Sequence, residues 1–130
     1  MDNKEFSKIR HELKLTQKGL SQVLCVSPKT IQSFEQGWRN VPVYVEREML
    51  LLLALKDFRN RDRIPTACWE MKNCPDEWKV NCSAWEFKVG NLCWFINGTF
   101  CNGKTRDNWK KKMEICRKCE VFQSLVPSPR

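Results

Sequence analysis

The sequence predicts a mainly α-helical protein in two parts: a bundle of four to five helices over residues 1–62, and a small, irregular cysteine-rich module over residues 66–126. Three observations predict this. Apolar residues recur at helical spacing through the first part. Capping residues stand where those runs begin and end. Near Pro65 the composition changes: residues 1–65 hold one cysteine, Cys25, and one tryptophan, Trp38, whereas residues 66–130 hold seven cysteines and five tryptophans.

The elements follow in order. Phe6, Ile9 and Leu13 form the apolar face of a first helix. Thr16 is an N-cap for a second, whose apolar face is Leu20, Val23 and Leu24. Ser27-Pro28 supplies the next N-cap and a proline at the first helical position. Ile31 and Phe34 face inward from this third helix, and Gly37 is its C-cap. A fourth helix starts after Pro42 and reaches about Phe58. Its run Met49–Leu55 is apolar on every side, which implies burial on two sides and, on balance, a homodimer. Arg59-Asn60-Arg61-Asp62-Arg63-Ile64-Pro65 reads as the boundary between the halves.

Composition narrows the function classes. The net charge of the 130 residues is +8, which favours a polyanionic partner. The two halves share it: residues 1–65 have 12 Lys/Arg against 8 Asp/Glu, and residues 66–130 have 11 against 7. No signal peptide opens the sequence, and the longest apolar run has seven residues, too few to span a bilayer. A cytoplasmic protein is therefore expected, without a membrane partner. In a reducing compartment a cysteine-dense segment points to metal rather than to disulfides. An enzyme, and with it a small-molecule substrate, is not expected. The single histidine, His11, leaves no nucleophile–histidine–acid set, and there is no phosphate-binding glycine loop.

The third helix carries a polar face of Lys29, Thr30, Gln32, Ser33 and Gln36. Lys29 and Gln32 have the donors and acceptors that read guanine and adenine edges in a major groove, and Pro28 and the Thr30 methyl suit thymine methyls. The stretch Leu15-Thr16-Gln17 through Val26-Ser27, Ile31 and Phe34-Glu35-Gln36-Gly37 resembles the phage-repressor-like (Xre-type, lambda-repressor-like) helix-turn-helix family over roughly residues 5–58. The resemblance implies double-stranded operator DNA as partner, with Gln17, Arg39 and Asn40 on backbone phosphates. Arg10 is expected to add charge to the same side. The family commonly has glycine where this chain has Cys25. Cysteine tolerates positive φ poorly, so a slightly different turn, with Cys25 as a small buried residue, is expected.

Of the other cysteines, only Cys116-Arg-Lys-Cys119 has the spacing that lets two thiolates chelate one centre. Cys93 and Cys101 are the next ligand candidates, with Cys68, Cys74 and Cys82 as alternates. Seven is odd, so disulfides cannot pair them all within the module, whereas four ligands and three accessory thiols is a workable division. Trp69, Trp85, Trp94 and Phe95 sit beside the sulfurs, where they would shield a cluster or form the module's core. The basic run Lys110-Lys111-Lys112 with Arg117 and Lys118 either stabilises thiolates or forms a solvated helix face. Cys68-Trp69-Glu70, Lys72-Asn73-Cys74-Pro75, Cys93-Trp94, Gly98-Thr99-Phe100-Cys101 and Cys116-x2-Cys119-x2-Phe122 resemble the cysteine–tryptophan (two-CW) module of prokaryotic signalling proteins, which implies a sensor. An iron–sulfur cluster of the 4Fe–4S type is the first expectation for the centre. The alternative is structural zinc for oligomerisation or partner docking, in an ordinary helix-turn-helix repressor or antitoxin-like protein, and a metal-free thiol–disulfide switch is the third. Together these readings make the chain a transcription regulator that responds to redox, oxygen or iron status.

Overall fold

Capping chemistry sets the ends of the first helices. In the computed structural model, which describes residues 1–59 and 67–125, α1 spans Asn3–Glu12 and the Asp2 carboxylate accepts from the Glu5 amide at 2.7 Å. Thr16 Oγ1 accepts from the Gly19 amide at 2.9 Å and opens α2, Gln17–Leu24. Ser27 Oγ accepts from the Thr30 amide at 3.1 Å and opens α3, Pro28–Gln36. Pro28 stands where a helix has no use for an N–H. Gly37 closes α3 at φ 77, a left-handed conformation that glycine adopts without strain. α4 runs Val43–Arg59.

The described residues form nine α-helices and no strand, and they divide into two compact units, one over 1–59 and one over 67–125. Beyond Arg59, the boundary expected over Arg59–Pro65 lies outside the described residues, as does the expected module end at 126. Among the described residues no helix is long and apolar enough to cross a membrane.

In the first unit α1 packs on α3 and α4, and α2 on α3. The core is Phe6, Ile9, Leu20, Leu24, Ile31, Phe34, Val45, Met49, Leu50, Leu53 and Ala54. The rings of Phe6 and Phe34 meet edge to face at 5.5 Å. Val23, expected on the inner face of α2, is instead 49% exposed. The buried face of α2 runs through Leu20, Ser21 and Leu24, which leaves Val23 off its edge, and the Ser21 hydroxyl is satisfied by the Lys18 carbonyl at 2.6 Å. α4 buries one face, while Leu51 and Leu52 are half-buried and Leu55 is exposed.

Beneath the α3 face lies an ion pair. Arg10 Nε donates to Glu35 Oε1, and Nη2 to Oε2 at 3.2 Å. Nη1 donates to the Leu15 carbonyl at 2.9 Å, and the Gln17 amide reaches Glu35 Oε2 at 3.3 Å. Arg10 is thus neutralised within the unit rather than offered as surface charge, which corrects its expected role. The pair ties α1 to α3 and to the start of α2.

The second unit is built from short helices: α5 Cys68–Met71, α6 Asp76–Lys79, α7 Ser83–Glu86, α8 Trp109–Cys116 and α9 Glu120–Leu125, with a 3-10 turn at Cys101–Gly103. Its fully or nearly buried residues are few: Ala84, Cys93, Trp94, Thr99, Trp109, Lys112, Met113, Cys116, Val121 and Phe122. Trp94 packs edge-on against Phe122 at 5.5 Å, and Trp69 against Trp85 at 5.0 Å. Gly90 makes the second contact possible, because a Cβ there would stand 2.6 Å from the Trp69 ring.

Two expectations about Cys25 are corrected. It adopts the left-handed conformation itself, at φ 56 and ψ 42, so the connection between α2 and α3 keeps a left-handed residue although glycine is absent. It is also exposed rather than buried. A non-glycine residue there is strained by about 1–2 kcal/mol, of which glycine's extra unfolded-state entropy returns part. Cys25→Gly is therefore expected to stabilise the first unit by about 0.5–1 kcal/mol. The check is the urea midpoint of its helical circular dichroism, and an unchanged or lower midpoint contradicts the strain.

Candidate nucleic-acid interface and cysteine pocket

Burying Ile31 and Phe34 turns the other side of α3 outward. Pro28, Lys29, Gln32 and Gln36 are exposed, and Thr30 and Ser33 are half-buried. The Ser33 hydroxyl donates to the Lys29 carbonyl at 3.0 Å, and the Thr30 and Ser27 hydroxyls share a hydrogen bond of 2.9 Å. Lys29, Gln32 and Gln36 are thus the side chains free to reach another molecule. Gln17 is half-buried and held by Glu35. Arg39 and Asn40 are exposed just past Gly37, with the Arg39 guanidinium 5.9 Å from the Phe34 ring centroid. Trp38 beside them is 70% exposed, and the sequence reading gave it no role. His11 is exposed, its Nδ1 2.7 Å from the Ser7 carbonyl.

The second unit gathers its sulfurs. Cys68, Cys74, Cys82, Cys93, Cys101, Cys116 and Cys119, spread over the whole segment, all line one pocket of about 280 Å³. Each sits at a helix end or in a loop: Cys68 opens α5, Cys82 caps α7, Cys101 opens the 3-10 turn and Cys116 ends α8. The walls between them are Trp69, Trp78, Trp85, Trp94, Phe100, Ile115, Val121 and Phe122, with Lys72, Lys79 and Lys118 also lining the space. Both alternates and first candidates are therefore brought together. Trp78 and Phe100 are wall residues that the sequence did not single out.

The thiols are not equivalent. Cys68 and Cys93 are hydrogen-bonded to each other, which lowers the Cys68 thiol and raises that of Cys93, where burial adds to the effect. Burial pushes the Cys101 thiol up to about 11 against the pull of Lys112, and raises Cys116 against the same lysine. Burial also raises Cys74. Cys93 feels the charges of Cys68, Cys101 and Cys116, whereas Cys119 acts on Cys116, and Cys82 on Cys74 and Cys101. Cys68, Cys93, Cys101 and Cys116 thus influence one another, with Cys93 and Cys116 buried, Cys68 half-buried and Cys101 exposed.

Comparison of the chain with protein-family models, with curated proteins and with solved structures found no match. The chemistry of the pocket is accordingly read from its own residues. Among the described residues, no three Cys, His, Asp or Glu side chains converge closely enough to hold a single metal ion. Seven thiols around 280 Å³ are enough to hold a thiolate-bound group. A further feature fits such a group: Trp94 is fully buried, lines the pocket, and its indole N–H has no acceptor among the described residues.

The basic run divides sharply. Lys110 and Lys111 are exposed, and Lys111 pairs with Asp107 at 3.1 Å, which holds that carboxyl below its usual range. Lys112 is 4% exposed and donates to Thr99 Oγ1 at 2.6 Å. The signal was present in the sequence, since Lys112 and Cys116 are four residues apart and share a helix face.

In the reduced, metal-free protein these thiols make stability depend on pH. Cys101 ionises near 11 when folded against 9.0 when unperturbed, and Cys74, Cys93 and Cys116 shift the same way, with Cys68 opposed. A raised thiol keeps its proton in the folded state while the unfolded chain loses it, so the contribution is whole below pH 9 and lost as pH rises toward 11. The urea midpoint of tryptophan emission, which reports mainly on this unit, is expected to fall between pH 9 and 11; a level midpoint contradicts the assignment.

Proposed function

We propose that the protein is a DNA-binding transcription regulator of the phage-repressor-like helix-turn-helix kind. It acts in the cytoplasm as a homodimer on operator DNA, and its cysteine module holds an iron–sulfur cluster, of the 4Fe–4S type, that responds to redox, oxygen or iron status. What supports this most directly is the gathering of seven thiols, drawn from the full length of the second unit, on one aromatic-walled pocket. Cys93, Cys101, Cys116 and Cys119 are the first candidates to hold the cluster, with Cys68, Cys74 and Cys82, which line the same pocket, as alternates. Bound there, the cluster would supply a one-electron couple whose state alters the charge of the site. Trp69, Trp85 and Trp94 keep water away, and the lysines balance thiolate charge. Dimer formation is supported by α4, where Leu51, Leu52 and Leu55 extend the apolar surface past the buried face.

DNA binding is supported by the outward row Pro28, Lys29, Gln32 and Gln36 and by exposed Arg39 and Asn40. On duplexes selected from a random pool at fixed salt, Lys29→Ala and Gln32→Ala are expected to lose about 1–3 kcal/mol on the selected sequence and little on unrelated DNA. Arg39→Ala is expected to weaken both alike. Undiminished affinity in the α3 variants would remove α3 as the reading helix, and light scattering that finds a monomer on the selected duplex would remove the dimer.

The centre is tested by anaerobic purification. Iron and acid-labile sulfide in equal amounts, with broad absorption near ~400 nm from sulfur-to-iron charge transfer, are the expected result. A colourless protein with stoichiometric zinc would replace this reading with the structural-zinc one. A protein that binds neither metal overturns both.

A further inference from the structure

Lys112 has an unusual position for a lysine. It is buried on α8 among Trp109, Met113 and Cys116, and its only polar contact among the described residues is the neutral Thr99 hydroxyl at 2.6 Å. No carboxylate lies within ion-pair distance of it there, although its neighbour Lys111 has Asp107. Buried lysines are rare without an anion, because desolvating an ammonium is unfavourable unless a negative group compensates. The nearby groups that would become negative, once they hold the proposed cluster as thiolates, are sulfurs. Cys116 follows on the same face of α8 one turn later, and Thr99 is two residues from Cys101. The electrostatic influence of Lys112 reaches Cys68, Cys101 and Cys116 alike.

We infer that Lys112 is the built-in counter-charge of the cysteine centre: a positioning residue that ties the Thr99–Cys101 segment to α8 and makes the centre easier to reduce. The inference rests on the proposed cluster. Four thiolates give such a centre net negative charge, and one-electron reduction adds another with no bond made or broken. A fixed cation beside the sulfurs favours the reduced state, and net charge and burial are among the terms that set such potentials. Lys110 and Lys111, in solvent on the same helix, are screened and contribute little.

The experiment uses the full-length protein, reconstituted anaerobically with iron and sulfide, and titrated with dithionite as electron donor while the cluster absorption is followed. Iron and sulfide content are measured on each sample. Lys112→Met is expected to hold the cluster and to be about tenfold harder to reduce, a fall of 59 mV for one electron. Lys112→Arg, which keeps the charge, is expected to stay near the parent, and Lys110→Met to match it. If Lys112→Met does not retain iron, retention by Lys112→Arg with a parent-like potential supports the inference, and loss in both overturns it. An iron-loaded Lys112→Met with the parent's potential overturns the inference and leaves the cluster standing. A parent protein that takes up no iron and sulfide overturns the cluster itself, and the counter-charge role with it.

Discussion

The second unit has a sulfur-lined cavity where a domain of its size would have its core. Its segment is poor in aliphatic residues, and the apolar surface that it buries comes mainly from tryptophan, phenylalanine and the cysteines themselves. Small units of this kind depend on a staple. The pocket dictates much of the rest: helices of four residues, one opening at Cys68 and one capped by Cys82, indoles packed edge to face as walls, and a glycine at position 90 because the Trp69 ring leaves no room for a Cβ. Lysines are drawn to the same place, three on the lining and one buried.

The first unit solves its problem with ordinary helix chemistry. Two caps and one proline fix where α2 and α3 begin, and Ile31 and Phe34 fix which way α3 faces. The Arg10–Glu35 pair then locks α1 to the underside of α3. Removing one partner of such a half-enclosed pair leaves a charge without its counterpart, at about 3–5 kcal/mol for a fully buried case. Such anchoring would suit the proposed role of α3 as a reading surface.

What was legible in the sequence was local. Thr16, Ser27-Pro28 and Gly37 act through the few residues around them, so their roles could be read before any packing was known. The outward set on α3 followed from the inward one. Val23 was misjudged because the inner face of α2 is chosen by what α3 offers, and a serine with an internal hydrogen bond is accepted there. Arg10 was misjudged because its partner lies 25 residues away. In the cysteine unit, spacing identified Cys116 and Cys119 as neighbours but could not rank Cys68. Its proximity to Cys93 is made by loops with no periodic signal. Lys112 differs from Lys110 and Lys111 only by which side of α8 it occupies, a distinction that composition hides.

The distribution of the sulfurs along the chain also orders events during synthesis. α1–α4 are stabilised by contacts among neighbours and are complete by residue 59. The pocket needs Cys68 and Trp69 from one end of its segment and Cys119 and Phe122 from the other, so it cannot exist until the chain through Phe122 has left the ribosome. Growing at about 5–20 residues per second, the chain spends several seconds with a finished first unit and a string of reduced, unassembled thiols behind it. During that interval a newly made molecule presents the outward face of α3 before it has any sulfur pocket at all.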